Sequence, residues 1–227
     1  MARDNPPKER QRRQLERKQG RRAPYDRILI VSEGGKTEPN YFNEIRKAYH
    51  LPMANIMALS SESGTTPLQV VQDARELFES GNPHKRILPR VFEQVFAVFE
   101  RDDHDHYFKA LKQAKSLDGK LKNDAGHGIH FQAIASIPCF ELWLLLHYED
   151  VHAPVHRNEV MRRLKQHIPD YEKGAENVFA TTRDFLCEAK RRAKAHAKKF
   201  SADTDPEPFT AVVELVELLE HLKLKPP

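Results

Sequence analysis

The chain has 227 residues, 39% of them hydrophobic and 31% charged, enough apolar material for a core beneath a heavily charged exterior, which excludes a disordered chain. Its net charge of +4 and pI of about 9.0 admit a nucleic-acid partner without requiring one. Cys139 and Cys187 have neither metal-pair spacing nor a secretory framework, and the longest apolar stretch, 133–148, is broken by Pro138 and Glu141, so a reduced, cytoplasmic protein with no signal peptide and no membrane role is expected.

Residues 1–24 read as a basic arm. Arg3, Lys8, Arg10, Arg12, Arg13, Arg17, Lys18, Arg21 and Arg22 stand there against only Asp4, Glu9 and Glu16. Such an arm attracts polyanions through counterion release, so Arg10, Arg12, Arg13, Arg17, Lys18, Arg21 and Arg22 are candidate nucleic-acid contacts. A solvated, flexible tail accounts for the same composition.

Residues 25–227 read as one α/β domain with a helical C-terminal extension. Aliphatic residues 27–31 predict a first strand, and 39–49, with Tyr41, Phe42, Ile45 and Tyr49 near helical spacing, a helix. A short strand is expected at 56–59. Thr66-Pro67-Leu68-Gln69 has the form of a capping box with proline in the first turn, opening a helix to Ser80 that Gly81 ends. Residues 95–99 predict a third strand, 107–117 a helix, 131–136 a fourth strand, and 140–148 a short apolar helix opened by Pro138. Beyond residue 158 the pattern predicts helices at 160–167, 176–200 and 210–222. Alternating strands and helices argue for a parallel-rich sheet covered on both faces.

Ligands of such sheets collect outside the carboxyl ends of the strands, and here two apolar strands run into acidic residues. Glu33 follows the first, ahead of Gly34 and Gly35, which let a phosphate approach backbone closely. A P-loop is excluded, since its first glycine would fall at Ile30. Glu38 reads most simply as a first-turn carboxylate favoured by the helix macrodipole. Beyond the third strand, Glu100, Asp102, Asp103 and Asp105 concentrate negative charge, and alternation places Glu100 and Asp102 on one side. His104 and His106 lack the further partners of a zinc site. Glu141, in an otherwise apolar helix, either completes the acidic cluster or satisfies the helix end. Hard divalent cations such as Mg²⁺ or Mn²⁺ suit such oxygen donors.

Three blocks in this order, ILIVSEGGKTEPNYF (28–42), VFAVFERDDH (95–104) and IPCFELWLLLH (137–147), with Asp170-Tyr171-Glu172-Lys173-Gly174 after them, resemble the RloB family of bacterial proteins linked to restriction and phage-defence loci. The resemblance spans most of 27–222. That family is similar to Toprim-type domains of topoisomerases, primases and OLD-type nucleases, implying a Toprim-like, Rossmannoid α/β fold with a helical C-terminal part. It further implies a metal-dependent nuclease in anti-phage defence. Glu33 then matches the glutamate after the first strand, and Glu100-Arg101-Asp102 the D-x-D pair, with glutamate replacing the leading aspartate. Glu38 resembles the further acidic residue of OLD-type nucleases. The resemblance implies Mg²⁺ or Mn²⁺ held by Glu100 and Asp102 with Glu33 or Glu141. Glu33 could alternatively serve as general acid or base, and Lys36 or Lys173 as neutraliser of phosphate charge. The competing readings are a non-catalytic adaptor docking on a defence ATPase and a plain DNA- or RNA-binding module.

Overall fold

The computed structural model describes residues 26–53, 55–101, 106–203 and 208–223. The basic arm's candidate contacts, Arg10, Arg12, Arg13, Arg17, Lys18, Arg21 and Arg22, and the acidic Asp102, Asp103 and Asp105 lie outside the described residues.

Four parallel strands, β1 (Ile28–Ser32), β2 (Ile56–Ser60), β3 (Gln94–Glu100) and β4 (His130–Ile137), are joined by the two-residue antiparallel β5 (Phe209–Thr210) in the order β2-β1-β3-β4-β5. Among the helices, α1 (Thr37–Ala48), α2 (Pro67–Ser80) and α3 (Tyr107–Leu117) connect the parallel strands. The remainder, α4 (Glu141–Leu145), α5 (Arg157–His167), α6 (Val178–Thr182), α7 (Leu186–Ala197) and α8 (Val212–Lys223), follow β4. This is a mixed α/β, Rossmannoid arrangement with a helical C-terminal part.

Strand side chains alternate between faces, and the apolar runs of β1 and β3 therefore feed two separate cores, as expected for parallel strands buried on both sides. Ile28, Ile30, Phe96 and Val98 pack with α1, α4 and the C-terminal helices, and Trp143 Nε1 donates to the Tyr41 hydroxyl at 2.8 Å within that layer. Leu29, Val31, Val95, Ala97 and Phe99 pack with α2 and α3 on the other face. Since β1 leads to β2 on one side and β3 to β4 on the other, the chain order reverses between β1 and β3. A crevice at the carboxyl ends of these two strands is the usual ligand position of such sheets.

The helix predicted from 66 forms with its reciprocal cap: Thr66 Oγ1 accepts from the Gln69 N–H while Gln69 Oε1 accepts from the Thr66 N–H. Two C-terminal expectations are corrected. The single helix expected over 176–200 is divided into α6, a 3₁₀ turn (Arg183–Phe185) and α7. Its start is displaced because Asn177 adopts left-handed backbone, φ 62, and the Glu44 carboxylate accepts the N–H groups of Asn177 and Phe179 at 2.6 and 2.8 Å. Asparagine tolerates that conformation better than most residues. The last helix begins at Val212 rather than 210, because Phe209 and Thr210 extend the sheet and the Thr210 hydroxyl meets that of Ser136 at 2.9 Å. Among the described residues, no helix is long and apolar enough to cross a membrane.

Candidate active site

β1 and β3 are in register from Ile28 opposite Gln94 to Ser32 opposite Val98, so Glu33 and Glu100 emerge side by side at the sheet's carboxyl edge. The Glu33 N–H donates to Val98 O at 2.9 Å, and Glu33 Oε2 accepts the Glu100 N–H at 3.0 Å. Glu100 has the same parity as Phe96 and Val98, which directs its side chain to the α1 and α4 face. There the first turns of two helices bring Glu38 and Glu141. All four glutamates line one cleft of about 350 Å³ with Gly34, Lys36, Arg157 and Lys173.

The acidic layer is buried: Glu38 is 3% exposed, Glu100 7% and Glu141 1%. Fixed donors hold part of it. Glu100 Oε1 accepts the Phe140 N–H at 2.8 Å, and Glu141 Oε1 the Tyr171 hydroxyl at 3.2 Å. Cations approach from outside, with Arg157 Nη2 3.5 Å from Glu100 Oε2 and Lys173 Nζ 3.7 Å from Glu141 Oε1. Negative charge is nevertheless undercompensated. Burial first, then repulsion from Glu100, Glu141 and Glu33, pushes the Glu38 carboxyl up to about 7 against its own backbone N–H. Burial, followed by the Glu141 charge, pushes Glu100 up to about 7 as well, although Lys173 and the Phe140 N–H oppose it. Burial would lower the Lys173 ammonium, but Glu141 and Glu100 outweigh it and raise it above its ordinary value.

Gly34 is required by this packing. A methyl group there would overlap the Glu38 carboxylate, which folds back over the β1–α1 turn. A strap between α5 and α6 closes the other side: the Gly174 N–H donates to Thr37 Oγ1 at 2.9 Å and Asn40 Nδ2 to Gly174 O at 3.2 Å. Gly174 has φ +84, and an added Cβ would sit 3.0 Å from Lys36 Cβ, so only glycine fits the strap without strain. Cys139 lies next to the acidic layer, where burial and then Glu141 and Glu100 push its thiol well up. Such a thiol is no nucleophile at neutral pH.

Of the residues singled out in the sequence, Glu33, Lys36, Glu38, Glu100, Glu141 and Lys173 meet in this cleft, while Asp102 and the arm lie outside the described residues. Glu38 is a buried member of the acidic layer as well as a first-turn carboxylate. Sequence reasoning missed Arg157 and the hydroxyl of Tyr171. A signal for Arg157 existed: an arginine opening a helix runs against the macrodipole, which favours acids there.

Every carboxylate here is an oxygen donor, with no imidazole or thiolate among the cleft's lining residues, a set suited to a hard divalent cation. Among the described residues, no three His, Cys, Asp or Glu groups are arranged to enclose a metal on their own. Mg²⁺ is commonly held by one or two carboxylates plus waters and substrate phosphates, so the donor chemistry fits without a closed cage. No curated protein and no solved structure matches the chain. The model of the RloB-like protein family matches residues 28–219, and the chain therefore belongs to that family.

Proposed function

We propose that the protein is a divalent-metal-dependent phosphodiesterase that cleaves nucleic acid, a Toprim-like nuclease in the phage-defence setting that the family resemblance implies. The observation that carries this reading is the meeting of four glutamates from β1, α1, β3 and α4 beneath three cations at the switch point of the sheet. Structural roles alone give little reason to bury so much like charge, since each uncompensated carboxylate costs several kcal/mol, on the order of 3 or more.

Glu100 and Glu141, with Asp102 and Glu33, are the residues that would hold Mg²⁺ or Mn²⁺. Bound there, the ion would polarise a phosphoryl oxygen and acidify a water. The chain's own residues supply the rest. Glu33, oriented by the Glu100 N–H, accepts a proton from the attacking water. Glu38 and Glu100, with carboxyl pKa values of about 7, exchange protons near neutral pH. Lys36, Arg157 and Lys173 at the mouth face the phosphate and offset the charge that grows on its oxygens.

The test is incubation of labelled single-stranded DNA, duplex DNA and tRNA with purified protein, with and without Mg²⁺ or Mn²⁺. Metal-dependent cleavage that falls about a hundredfold or more in Glu33→Ala and Glu100→Gln is expected. Cleavage persisting unchanged in both variants would refute the assignment. Absence of both cleavage and metal-dependent thermal stabilisation would favour the non-catalytic adaptor docking on a partner ATPase.

A further inference from the structure

Two of the cations at the cleft mouth lean on the acidic layer without docking to it. Arg157 stands 3.5 Å from Glu100 and Lys173 3.7 Å from Glu141, whereas a settled charge-assisted contact lies at about 2.7–2.9 Å. Elsewhere on this chain the same residue types do close: Arg27 to Glu93 and Arg163 to Glu149 at 2.7 Å, and Lys190 to Glu220 at 2.6 Å. The difference lies in what holds the carboxylates. Glu100 and Glu141 are pinned by the Phe140 N–H and the Tyr171 hydroxyl, deep in the cleft, while the Arg157 and Lys173 side chains remain 32% and 50% exposed. The floor is fixed and its counter-charges are loose.

We infer that Arg157 and Lys173 are exchangeable counter-ions, which partly offset the buried glutamates in the free protein and turn outward to hold substrate phosphate once a divalent cation has entered. This rests on the phosphodiesterase reading and adds an order of binding to it. Two side-chain cations and a divalent ion cannot share so small a volume, because repulsion between like charges a few ångströms apart is strong even at protein-surface dielectric. Arg157 and Lys173 therefore compete with metal for the glutamates, and by linkage metal uptake frees them. Once freed, the planar guanidinium of Arg157 suits two oxygens of one phosphate. Arg157 is thus a substrate-positioning residue.

The exchange predicts effects of opposite sign in one variant, read by calorimetry on the full chain without any turnover. Mn²⁺ alone is expected to bind Arg157→Gln and Lys173→Gln on the order of tenfold more tightly than the wild type. Inorganic phosphate should bind the Mn²⁺-loaded variants on the order of tenfold more weakly. Lys194→Gln, which removes a lysine paired with Glu217 on α8, controls for net charge. Mn²⁺ affinity in the cleft variants that is unchanged, reduced, or shifted no further than in Lys194→Gln overturns the exchange. A wild type that takes up no Mn²⁺ overturns the phosphodiesterase reading itself, so the two failures are distinguishable.

Discussion

Replacing Glu38 by glutamine should make the protein more stable at pH 8, against the common trend for a buried residue. The Glu38 carboxyl moves from an ordinary value of 4.5 to about 7 on folding, and each pKa unit is worth about 1.4 kcal/mol, so holding it ionised costs about 3 kcal/mol. The sign follows from linkage: a carboxyl raised in the folded state contributes stability fully below pH 4.5 and loses it as pH rises through 7. Glutamine is nearly isosteric, keeps an oxygen for the backbone N–H of residue 38, and carries no charge at any of these pH values. Urea unfolding at pH 4.5 and pH 8 should therefore give equal free energies for wild type and Glu38→Gln at the acid end and a gap of about 3 kcal/mol in favour of the variant at pH 8. Removing the Glu38 charge also relieves Glu100, whose own carboxyl stands at about 7, and its titration midpoint should fall. Saturating Mg²⁺ should narrow the gap at pH 8 by compensating the wild-type charge. A difference that is flat with pH, or a variant less stable at pH 8, would refute the view that uncompensated charge is stored in this cleft.

Three further outcomes follow from the packing. His147 is buried, its Nδ1 N–H donating to Trp143 O at 3.0 Å, and burial pushes its pKa down to about 4; its stabilising contribution is present above pH 6.5 and is lost as pH falls through 4. The wild type should accordingly lose about 3 kcal/mol relative to His147→Gln between pH 7 and pH 3.5 in urea unfolding. Gly174→Ala should cost about 1–3 kcal/mol, because it forces a side chain into left-handed backbone against Lys36, and hydrogen exchange at the Gly174 amide should accelerate as the strap loosens. Thr66→Ala removes the acceptor for the Gln69 N–H and should lower stability by about 1 kcal/mol in urea, with no change in metal binding.

The parallel strands could be read from the chain because a strand buried on both faces is a continuous apolar run, as in Ile28-Leu29-Ile30-Val31, bounded by polar residues. Helix α2 was legible for a similarly local reason: its cap, first-turn proline and terminal glycine lie within one stretch of sequence. Placement of Glu33 and Glu100 at strand ends followed from the same boundaries. Their company did not. Glu38 and Glu141 join them only because the sheet order sets β1 beside β3 and the α1 and α4 layer covers the face to which Glu100 points. The 176–200 helix broke where Glu44, over 130 residues away in sequence, captured two amides. Thr210 left its helix for a hydroxyl partner on β4, 74 residues distant. Arg157 reached the cleft by the fold alone. Periodicity, caps and turn residues express energies between near neighbours in the chain, which any single stretch contains; which charges share a dielectric depends on distances between remote segments, and those exist only once the sheet is assembled.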